Sequence, residues 1–527
     1  MFNDDEKPMA PASNAGRPAL GFSDAGKASV KADHSKEAPL AATTVSVLLD
    51  VSSSSSTVGR APLDLVVVLD VSGSMGDDGK LDKLKSAMQF VIKKLSPMDR
   101  LSIVTFSTKS DRRCALRAMS DAAKSDLMGT IDGLVANGGT NIQAGLETGL
   151  NVLAGRQYMN GRTANILLMS DGEQNHGDAR QVRNPHNVPV YSLAFGADAD
   201  MNLLRDLAVN GGTFNPVPES GPTSMLAVFS QLMAGLLTVV VQDLYLILSK
   251  PTSLDADLDK IVKVAPGDFN QEADGQSGTI TVKFGDLFSG EVRKVLVDLL
   301  LLEATGSDYE ADFLEVAVSY PDSKGVRQKF RGQTLHITRS STATDVKTTP
   351  KLMEENVRRQ HAGSITAARS LADGNNLDEA RDKLVEAQNA LEDVLDQANP
   401  MVAMLRTELQ QLLDRMESPE LYKAEGRPYA LAAETSHAKQ RFASRGDVEG
   451  VRLFATPRMD AYLKQAKEFA ENPDAPLPTA DDDAEEEVKA NPVAAIAGSL
   501  AFYIHAAVEA LQAIEKIVNA ASAPANV

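Results

Sequence analysis

Residues 64–75 read DLVVVLDVSGSM and indicate how the largest part of the chain folds. The apolar run Leu65–Leu69 is typical of a strand that is buried on both faces of a parallel sheet. It ends in three small side chains that carry oxygen atoms at alternate positions, Asp70, Ser72 and Ser74. Open α/β sheets bind ligands at the carboxyl ends of their strands, and hard oxygen donors suit a hard divalent cation. The stretch therefore predicts a cation site at one edge of a sheet.

Two later stretches carry donors of the same kind. Asn137–Thr140 reads NGGT and lies between two helical patterns, where the paired glycines favour a tight turn. Ile166–Gly172 reads ILLMSDG and predicts a second buried strand that ends at Asp171. A helix is predicted to begin at Ile142, directly after the turn, and its N-terminal dipole would favour an incoming anion.

The pattern Asp-x-Ser-x-Ser, followed by a loop threonine and an aspartate at a strand end, resembles the metal-ion-dependent adhesion site of von Willebrand factor type A domains. The resemblance implies that Ser72, Ser74 and Thr140 bind Mg2+ (or Mn2+ or Ca2+) directly. It also implies that Asp70 and Asp171 act mainly through water or hydrogen bonds. Because hydroxyl ligands are neutral, the ion would stay electrophilic and accept a carboxylate oxygen from an Asp or Glu of a protein partner. The expected function is metal-dependent protein binding.

Composition limits the class of protein further. A length of 527 residues predicts two to four domains, and the net charge of −19 argues against nucleic acid and anionic membranes as partners. The single cysteine, Cys114, excludes internal disulfides and multi-cysteine zinc modules such as a RING finger. The sequence shows neither a signal peptide nor an apolar run of about twenty residues. We therefore predict an intracellular, cytoplasmic protein without a transmembrane span.

Changes in periodicity divide the chain into segments. Strand and helix patterns alternate over 61–240, β-type runs follow, and helical patterns come last. We predict a multidomain α/β, β and α protein, in which a doubly wound parallel-sheet domain is inserted into an antiparallel β-sandwich and followed by a helical bundle. The predicted segments are a disordered tail (1–40), the first sandwich strand with a serine-rich linker (41–60), the doubly wound type A domain (61–240), the β-sandwich (241–343), the helical domain (350–470), an acidic proline-rich linker (471–492) and an amphipathic C-terminal helix (493–522).

The C-terminal helix is expected to dock on the body of the protein or to pair with a second copy of the chain. Its apolar residues recur at three- and four-residue steps, and it lacks the basic face that membrane-binding helices carry.

No catalytic set is visible in the sequence. Gly79–Lys80 does not belong to a phosphate-binding loop, because Ser74 and Leu81 stand where that loop needs glycine and a hydroxyl residue. The sequence contains no nucleophile elbow, and Cys114 has no base nearby in the sequence. We therefore predict a protein that is not an enzyme.

The order of segments, from TTVSVLLD through the type A pattern into the sandwich and helices, resembles the body of plant RING ligases of the WAVY GROWTH family. Members of that family carry a cysteine-rich RING ahead of this body, and a chain with one cysteine cannot supply one. The alternative function is therefore a RING-less relative that binds the substrates of a plant ubiquitin E3 ligase or modulates such a ligase.

Overall fold

The computed structural model describes residues 6–8, 27–55, 59–196, 198–218, 224–252, 258–322, 325–394, 399–446 and 448–491, and five single positions between 504 and 514. The strands of this part are β1 (Ala28–His34), β2 (Glu37–Pro39), β3 (Thr43–Ser53), β4 (Leu63–Asp70), β5 (Arg100–Phe106), β6 (Ser110–Arg112), β7 (Arg117–Ala118), β8 (Thr163–Ser170), β9 (Val190–Phe195), β10 (Phe214–Val217), β11 (Val239–Ser249), β12 (Leu258–Ala265), β13 (Asn270–Ala273), β14 (Ile280–Phe288), β15 (Val292–Leu301), β16 (Tyr309–Pro321) and β17 (Arg327–Ser340). The α-helices are α1 (Lys80–Lys94), α2 (Asp121–Asp132), α3 (Ile142–Ala154), α4 (Met201–Leu207), α5 (Ser224–Leu236), α6 (Pro350–Asp373), α7 (Leu377–Val394), α8 (Pro400–Asp414), α9 (Pro419–Leu421), α10 (Arg427–Lys439), α11 (Pro457–Glu471) and α12 (Ala480–Ala490). None of these helices combines the length and the apolar content that crossing a bilayer requires.

The central sheet has the strand order β10-β9-β8-β4-β5-β6, with β7 also paired to β5. Strands β10, β9, β8, β4 and β5 run parallel, and the two short strands pair antiparallel with β5. Alternate residues of β4 face two different cores: Leu65, Val67 and Leu69 pack with residues of α1 and α5, while Val66 and Val68 pack with residues of α3 and α4. The continuous apolar run is thus explained by helices on both faces of the sheet.

Two further sheets pack against each other. One has the order β1-β3-β15-β12 and the other β13-β14-β11-β16-β17-β2. The inward residues of both sheets belong to one hydrophobic cluster. Examples are Leu49 and Val295 from the first sheet and Leu246 and Val316 from the second. Strand β3 precedes the central sheet in the chain, yet it pairs antiparallel along its length with β15, which follows that sheet.

The predicted disorder of residues 1–40 is wrong for part of that tail. Strands β1 and β2 lie within it, and β1 pairs antiparallel with β3 over its whole length. In β1 the apolar residues that alternate with polar ones have small side chains: Ala28, Val30 and Ala32. The sequence pattern that would indicate a strand is therefore weak. Pairing with an apolar neighbour supplies the stability that the segment lacks by itself.

The acidic linker predicted over 471–492 is also partly wrong, because α12 occupies residues 480–490. A reciprocal capping box between Thr479 and Asp482 starts this helix, whose first turn is acidic as the helix dipole favours. The helix is docked by ion pairs: Asp481 with Arg60 at 2.8 Å, Asp483 with Lys94 at 2.6 Å and Glu487 with Arg458 at 2.5 Å. The acidic run is thus a docking surface that meets three cations of the body.

Helices α6, α7, α8 and α10 share a hydrophobic cluster of their own, and α11 packs against α5. The amphipathic helix predicted over 493–522 lies outside the described residues, apart from five helical, exposed positions: Ile504, Ala507, Val508, Leu511 and Ile514.

Arg441, just after α10, connects the three parts of the fold. Its guanidinium donates twice to Glu291, at 2.7 Å each, and once to the carbonyl of Asp286 at 2.8 Å. It also donates to the Tyr191 hydroxyl at 3.0 Å and to the Gly211 carbonyl at 2.9 Å. Tyr191 lies in β9 of the central sheet and Glu291 between β14 and β15. One buried side chain therefore joins the helical part to both β-sheet regions.

Candidate metal centre

The predicted site residues converge at the carboxyl edge of the central sheet. Asp70 is the last residue of β4 and Asp171 directly follows β8. These strands are parallel neighbours, with Leu69 opposite Met169, so their ends lie side by side. Both carboxylates are fully buried.

Asp70 is held by hydrogen bonds to both of its oxygens. The backbone N–H of Ser72 donates to Oδ1 at 2.8 Å, and the Ser170 hydroxyl donates to Oδ2 at 2.6 Å. Burial raises the pKa of Asp70 to about 6, in opposition to these hydrogen bonds, which favour the charged form. A cation close to Asp70 would stabilise the charged form further.

The hydroxyl groups of Ser72 and Ser74 lie beside Asp171. Their Oγ atoms are 3.1 Å apart, and Ser74 Oγ donates to Asp171 Oδ1 at 2.8 Å. The other carboxylate oxygen, Oδ2, accepts from Lys80 Nζ at 2.9 Å. Two hydroxyls and two carboxylates from separate stretches thus form one polar cluster.

The loop that carries Thr140 is attached to the first stretch through the backbone. The N–H of Gly73 donates to the carbonyl of Gly138 at 3.0 Å, and the N–H of Asn137 donates to the carbonyl of Val71 at 2.8 Å. Gly138 has φ of 78°, a conformation that favours glycine. The paired glycines therefore serve the turn that the sequence predicted.

Thr140 is fixed from its other side by the loop after Asp171. Its N–H donates to Asn175 Oδ1 at 2.9 Å, and its carbonyl accepts from the N–H groups of Asn175 and His176 at 3.0 and 3.2 Å. A Cβ atom on Gly139 would lie 2.8 Å from Asn175 Oδ1, so there is no room for a side chain there. The threonine is thus held between two loops.

Gly172 shows where the hydroxyls point. A Cβ atom at this position would lie 3.7 Å from both Ser74 Oγ and Thr140 Oγ1. The two oxygens therefore face one shared space, which the absence of a side chain at residue 172 keeps free. The Ser72 hydroxyl and the Asp171 carboxylate lie beside Ser74, and Asp70 ends the neighbouring strand. Such oxygen donors fit a hard divalent cation.

The structure thus brings together all five predicted residues: Asp70, Ser72, Ser74, Thr140 and Asp171. Three further residues at this centre were not predicted from the sequence. Ser170 and Asn175 orient the predicted donors, and the ammonium of Lys80 pairs with Asp171. A hydroxyl residue directly before Asp171 and a lysine directly after Gly79 are weak signals, because many loops contain such residues.

A second cluster of ligand-type side chains lies in the helical part. Ligand atoms of His361, Glu408 and His437, all buried, lie within 4.8 Å of one another. Glu408 Oε2 accepts from Nε2 of both histidines, at 2.7 and 2.8 Å, and Oε1 accepts from Arg445 at 2.6 Å. Arg358 lies 3.1 Å from His437 Nδ1, which must therefore accept, so that Nε2 carries the proton. In a histidine that binds a metal, the nitrogen facing the ion carries no proton, and the other ring nitrogen donates a hydrogen bond. We therefore interpret this cluster as a hydrogen-bonded network.

Comparisons with known proteins agree with the fold around the first site. The family model of the von Willebrand factor type A domain matches residues 64–221. Residues 64–221 form a type A domain. The prediction of this domain is confirmed, and its parallel sheet with helices on both faces is the type A fold. A second family model, described as VWA / Hh protein intein-like, matches residues 399–468 in the helical part.

Three curated relatives match between about a third and about half of the chain. The E3 ubiquitin-protein ligase WAV3 of Arabidopsis thaliana is 32% identical over 46% of this chain and 31% of the ligase. An uncharacterized protein of Synechocystis is 30% identical over 46% of this chain and 58% of its own length. The human inter-alpha-trypsin inhibitor heavy chain H4 is 28% identical over 34% of this chain and 21% of its own length. The chain thus spans between a fifth and three fifths of these relatives.

A solved structure matches the type A domain and its surroundings. The von Willebrand factor type A protein from Catenulispora acidiphila superposes with a TM-score of 0.59 over 79% of this chain and 97% of that protein. At 15% sequence identity, this likeness shows the fold alone. The shared fold extends beyond the type A domain.

Proposed function

We propose that this chain is a non-enzymatic protein-binding module in which the type A domain captures a carboxylate of a partner through a divalent cation. The observation that carries the proposal is the shared space faced by the hydroxyls of Ser74 and Thr140, with Ser72, Asp70 and Asp171 beside it. The cation, when bound, supplies an electrophilic position for the partner's carboxylate oxygen. Mg2+ is the ion we expect, with Mn2+ as a substitute.

The hydrogen bonds support a division of roles among the five residues. Both oxygens of Asp70 and both of Asp171 already accept from protein donors, so the carboxylates would contribute charge and orientation. Ser72, Ser74 and Thr140 would then be the direct ligands. Neutral ligands leave more of the cation's charge for a partner's anion.

The start of α3 supports an anionic partner. This helix begins two residues after Thr140, and Asn141 caps it by accepting from the N–H of Ala144 at 3.0 Å. The N-terminal end of a helix carries a partial positive charge. A carboxylate that reaches the site would lie near this end.

We also propose that the type A domain is inserted into a β-sandwich formed by residues 41–60 and 241–343, to which the preceding strands β1 and β2 are added. The pairing of β3 with β15 and the hydrophobic cluster shared by the two flanking sheets support this domain division. An intracellular location and self-association through the C-terminal segment remain further parts of the proposal.

Replacing Thr140 by alanine is expected to weaken Mn2+ binding at least about tenfold, because one of three direct ligands is lost. The measurement is calorimetric titration of the full chain with Mn2+ and with Mg2+. Thr148→Ala is the matched control, since Thr148 lies on α3 and bonds Ser110 away from the site. Absence of metal binding by the unmodified chain, or equal binding by Thr140→Ala, contradicts the proposal.

Replacing Gly172 by valine is expected to block the metal while the fold persists. The new side chain would enter the space that the Ser74 and Thr140 hydroxyls face, and its Cβ meets no atom closer than 3.7 Å. Metal titration and circular dichroism together test this prediction. Full metal affinity in a folded Gly172→Val variant would show that the shared space is not the metal position.

The similarity to WAV3 favours a second candidate function: binding the substrates of a ubiquitin ligase, or modulating one, without ligase activity of this chain. Pull-downs from a plant extract, with Mg2+ and with EDTA, using the unmodified chain and Thr140→Ala as baits, test partner capture. An in vitro ubiquitination reaction with this chain as the sole ligase is expected to stay blank. Activity in that reaction would contradict the non-enzymatic assignment.

A further inference from the structure

Lys80 places a buried positive charge against the candidate metal centre. It is the first residue of α1, and its side chain is 9% exposed. Its Nζ donates to Asp171 Oδ2 at 2.9 Å and lies 6.0 Å from the centre of the Phe195 ring. The ammonium and the Ser74 hydroxyl therefore bind different oxygens of Asp171, since Ser74 donates to Oδ1.

This cation changes the charge balance of the site. The carboxylates of Asp70 and Asp171 carry two negative charges, and Lys80 neutralises one of them. With a divalent cation bound, the three side chains and the ion would sum to one positive charge. Without Lys80 the same sum would be zero, and an approaching carboxylate would meet a weaker attraction.

We propose that Lys80 sets the balance between metal binding and carboxylate binding at this site, an inference that rests on the proposed function. Its charge lowers the affinity of the site for a divalent cation alone, because like charges a few ångströms apart repel strongly. The same charge favours an anion at the loaded site. The cation and the carboxylate attract each other, so each raises the affinity for the other by the same factor. The charge of Lys80 lets a given concentration of carboxylate exert more of this effect. The centre would hold its metal tightly only when an acidic partner is present.

The test replaces Lys80 by glutamine, which can still donate to Asp171 but carries no charge, and by methionine as a second variant. Mn2+ affinity of the full chain is measured by calorimetry in chloride buffer and in acetate buffer of equal ionic strength, with acetate as the carboxylate probe. In chloride, Lys80→Gln is expected to bind Mn2+ on the order of tenfold tighter than the unmodified chain. In the unmodified chain acetate is expected to tighten Mn2+ binding several-fold, and in Lys80→Gln the same acetate concentration is expected to have a smaller effect.

Two controls separate charge from packing. Lys80→Arg keeps the charge and is expected to keep the acetate effect. Lys83→Met removes a lysine of the same helix, whose Nζ lies 5.5 Å from the centre of the Phe195 ring, and is expected to leave Mn2+ affinity unchanged. A purely structural role of Lys80 would alter the thermal stability of the glutamine and methionine variants without altering the acetate effect.

The outcomes distinguish this inference from the proposed function. Equal Mn2+ affinity in the unmodified chain and both uncharged variants, or weaker binding in the folded variants, overturns the role of Lys80 but leaves the metal site in place. Absence of Mn2+ binding in every form overturns both. Tighter Mn2+ binding together with a smaller acetate effect in the uncharged variants supports this role of Lys80.

Discussion

Replacing Arg441 by methionine is expected to lower the free energy of unfolding by about 3–5 kcal/mol. The guanidinium is buried, and it donates to Glu291 at two positions, to Tyr191 and to two backbone carbonyls. Its removal leaves Glu291 with Arg293 as its remaining cation, at 2.8 Å, and leaves the carbonyls of Gly211 and Asp286 without this donor. Breaking one partner of a buried ion pair costs far more than breaking a surface pair.

Urea unfolding followed by far-ultraviolet circular dichroism measures this loss. Arg441→Lys keeps the charge but not the planar fork, so we expect it to recover only part of the stability. Arg406→Met is the matched control, because Arg406 forms an exposed ion pair with Glu392 at 3.3 Å and its loss is expected to cost less than about 1 kcal/mol. Equal stabilities of the Arg441→Met and Arg406→Met variants would show that the contact between the helical part and the two β-sheet regions does not depend on Arg441.

Acidification is expected to destabilise the helical part of the chain at a higher pH than the type A domain. Burial lowers the pKa of His437 to about 4, helped by the charge of Arg358. Burial alone would raise the pKa of Glu408, but Arg445 and the two histidines lower it well below its usual value. The network thus holds a neutral His437 and a charged Glu408. The other charged groups beside Arg358 are Glu355 and Arg359, which pair with each other at 2.7 Å.

The sign of the effect follows from these shifts. A histidine whose folded pKa is below its unfolded value of about 6.5 binds protons more readily when unfolded, so its stabilising contribution is complete above that value and declines as the pH falls toward 4. For His437 the loss amounts to about 2 kcal/mol at pH 5 and about 3 kcal/mol below pH 4. Glu408 adds to the loss below its usual value of about 4.5, since its folded pKa is also lowered.

Hydrogen exchange at pH 7, 6 and 5, corrected for the intrinsic exchange rate, measures the loss of stability in each part of the chain. Peptides from α6, α8 and α10 are expected to lose protection first. His437→Gln is the matched control, because glutamine can donate to Glu408 and does not titrate, so its protection is expected to depend less on pH. The same pH dependence in both proteins would contradict the assignment to His437.

Much of the candidate metal centre was predictable because the strands are regular. In β4 an apolar run has to end where the sheet ends, and the polar residue at that point, Asp70, must face the ligand edge. Asp171 follows in the same way from β8. Ser170 and Lys80 were not predictable, because their roles depend on which loops and helices pack beside those strand ends.

The predictions failed where stability comes from distant partners. The acidic run 481–487 indicates a solvated spacer when read alone, and only the cations of Arg60, Lys94 and Arg458 convert it into a docked helix. Strand β1 likewise depends on a distant partner, since β3 supplies most of the apolar surface of the pair. In both segments the local sequence is compatible with several conformations, and tertiary contacts select one.

The pairing of β3 with β15 has a consequence for biosynthesis. Leu49 meets Val295, so one edge of β3 stays unpaired while the ribosome adds roughly 250 residues, which takes on the order of tens of seconds. During that time the nascent chain exposes an apolar strand edge that can recruit other chains. Truncated products that end before β15 would keep this edge permanently, and they are the species for which chaperones would be needed most.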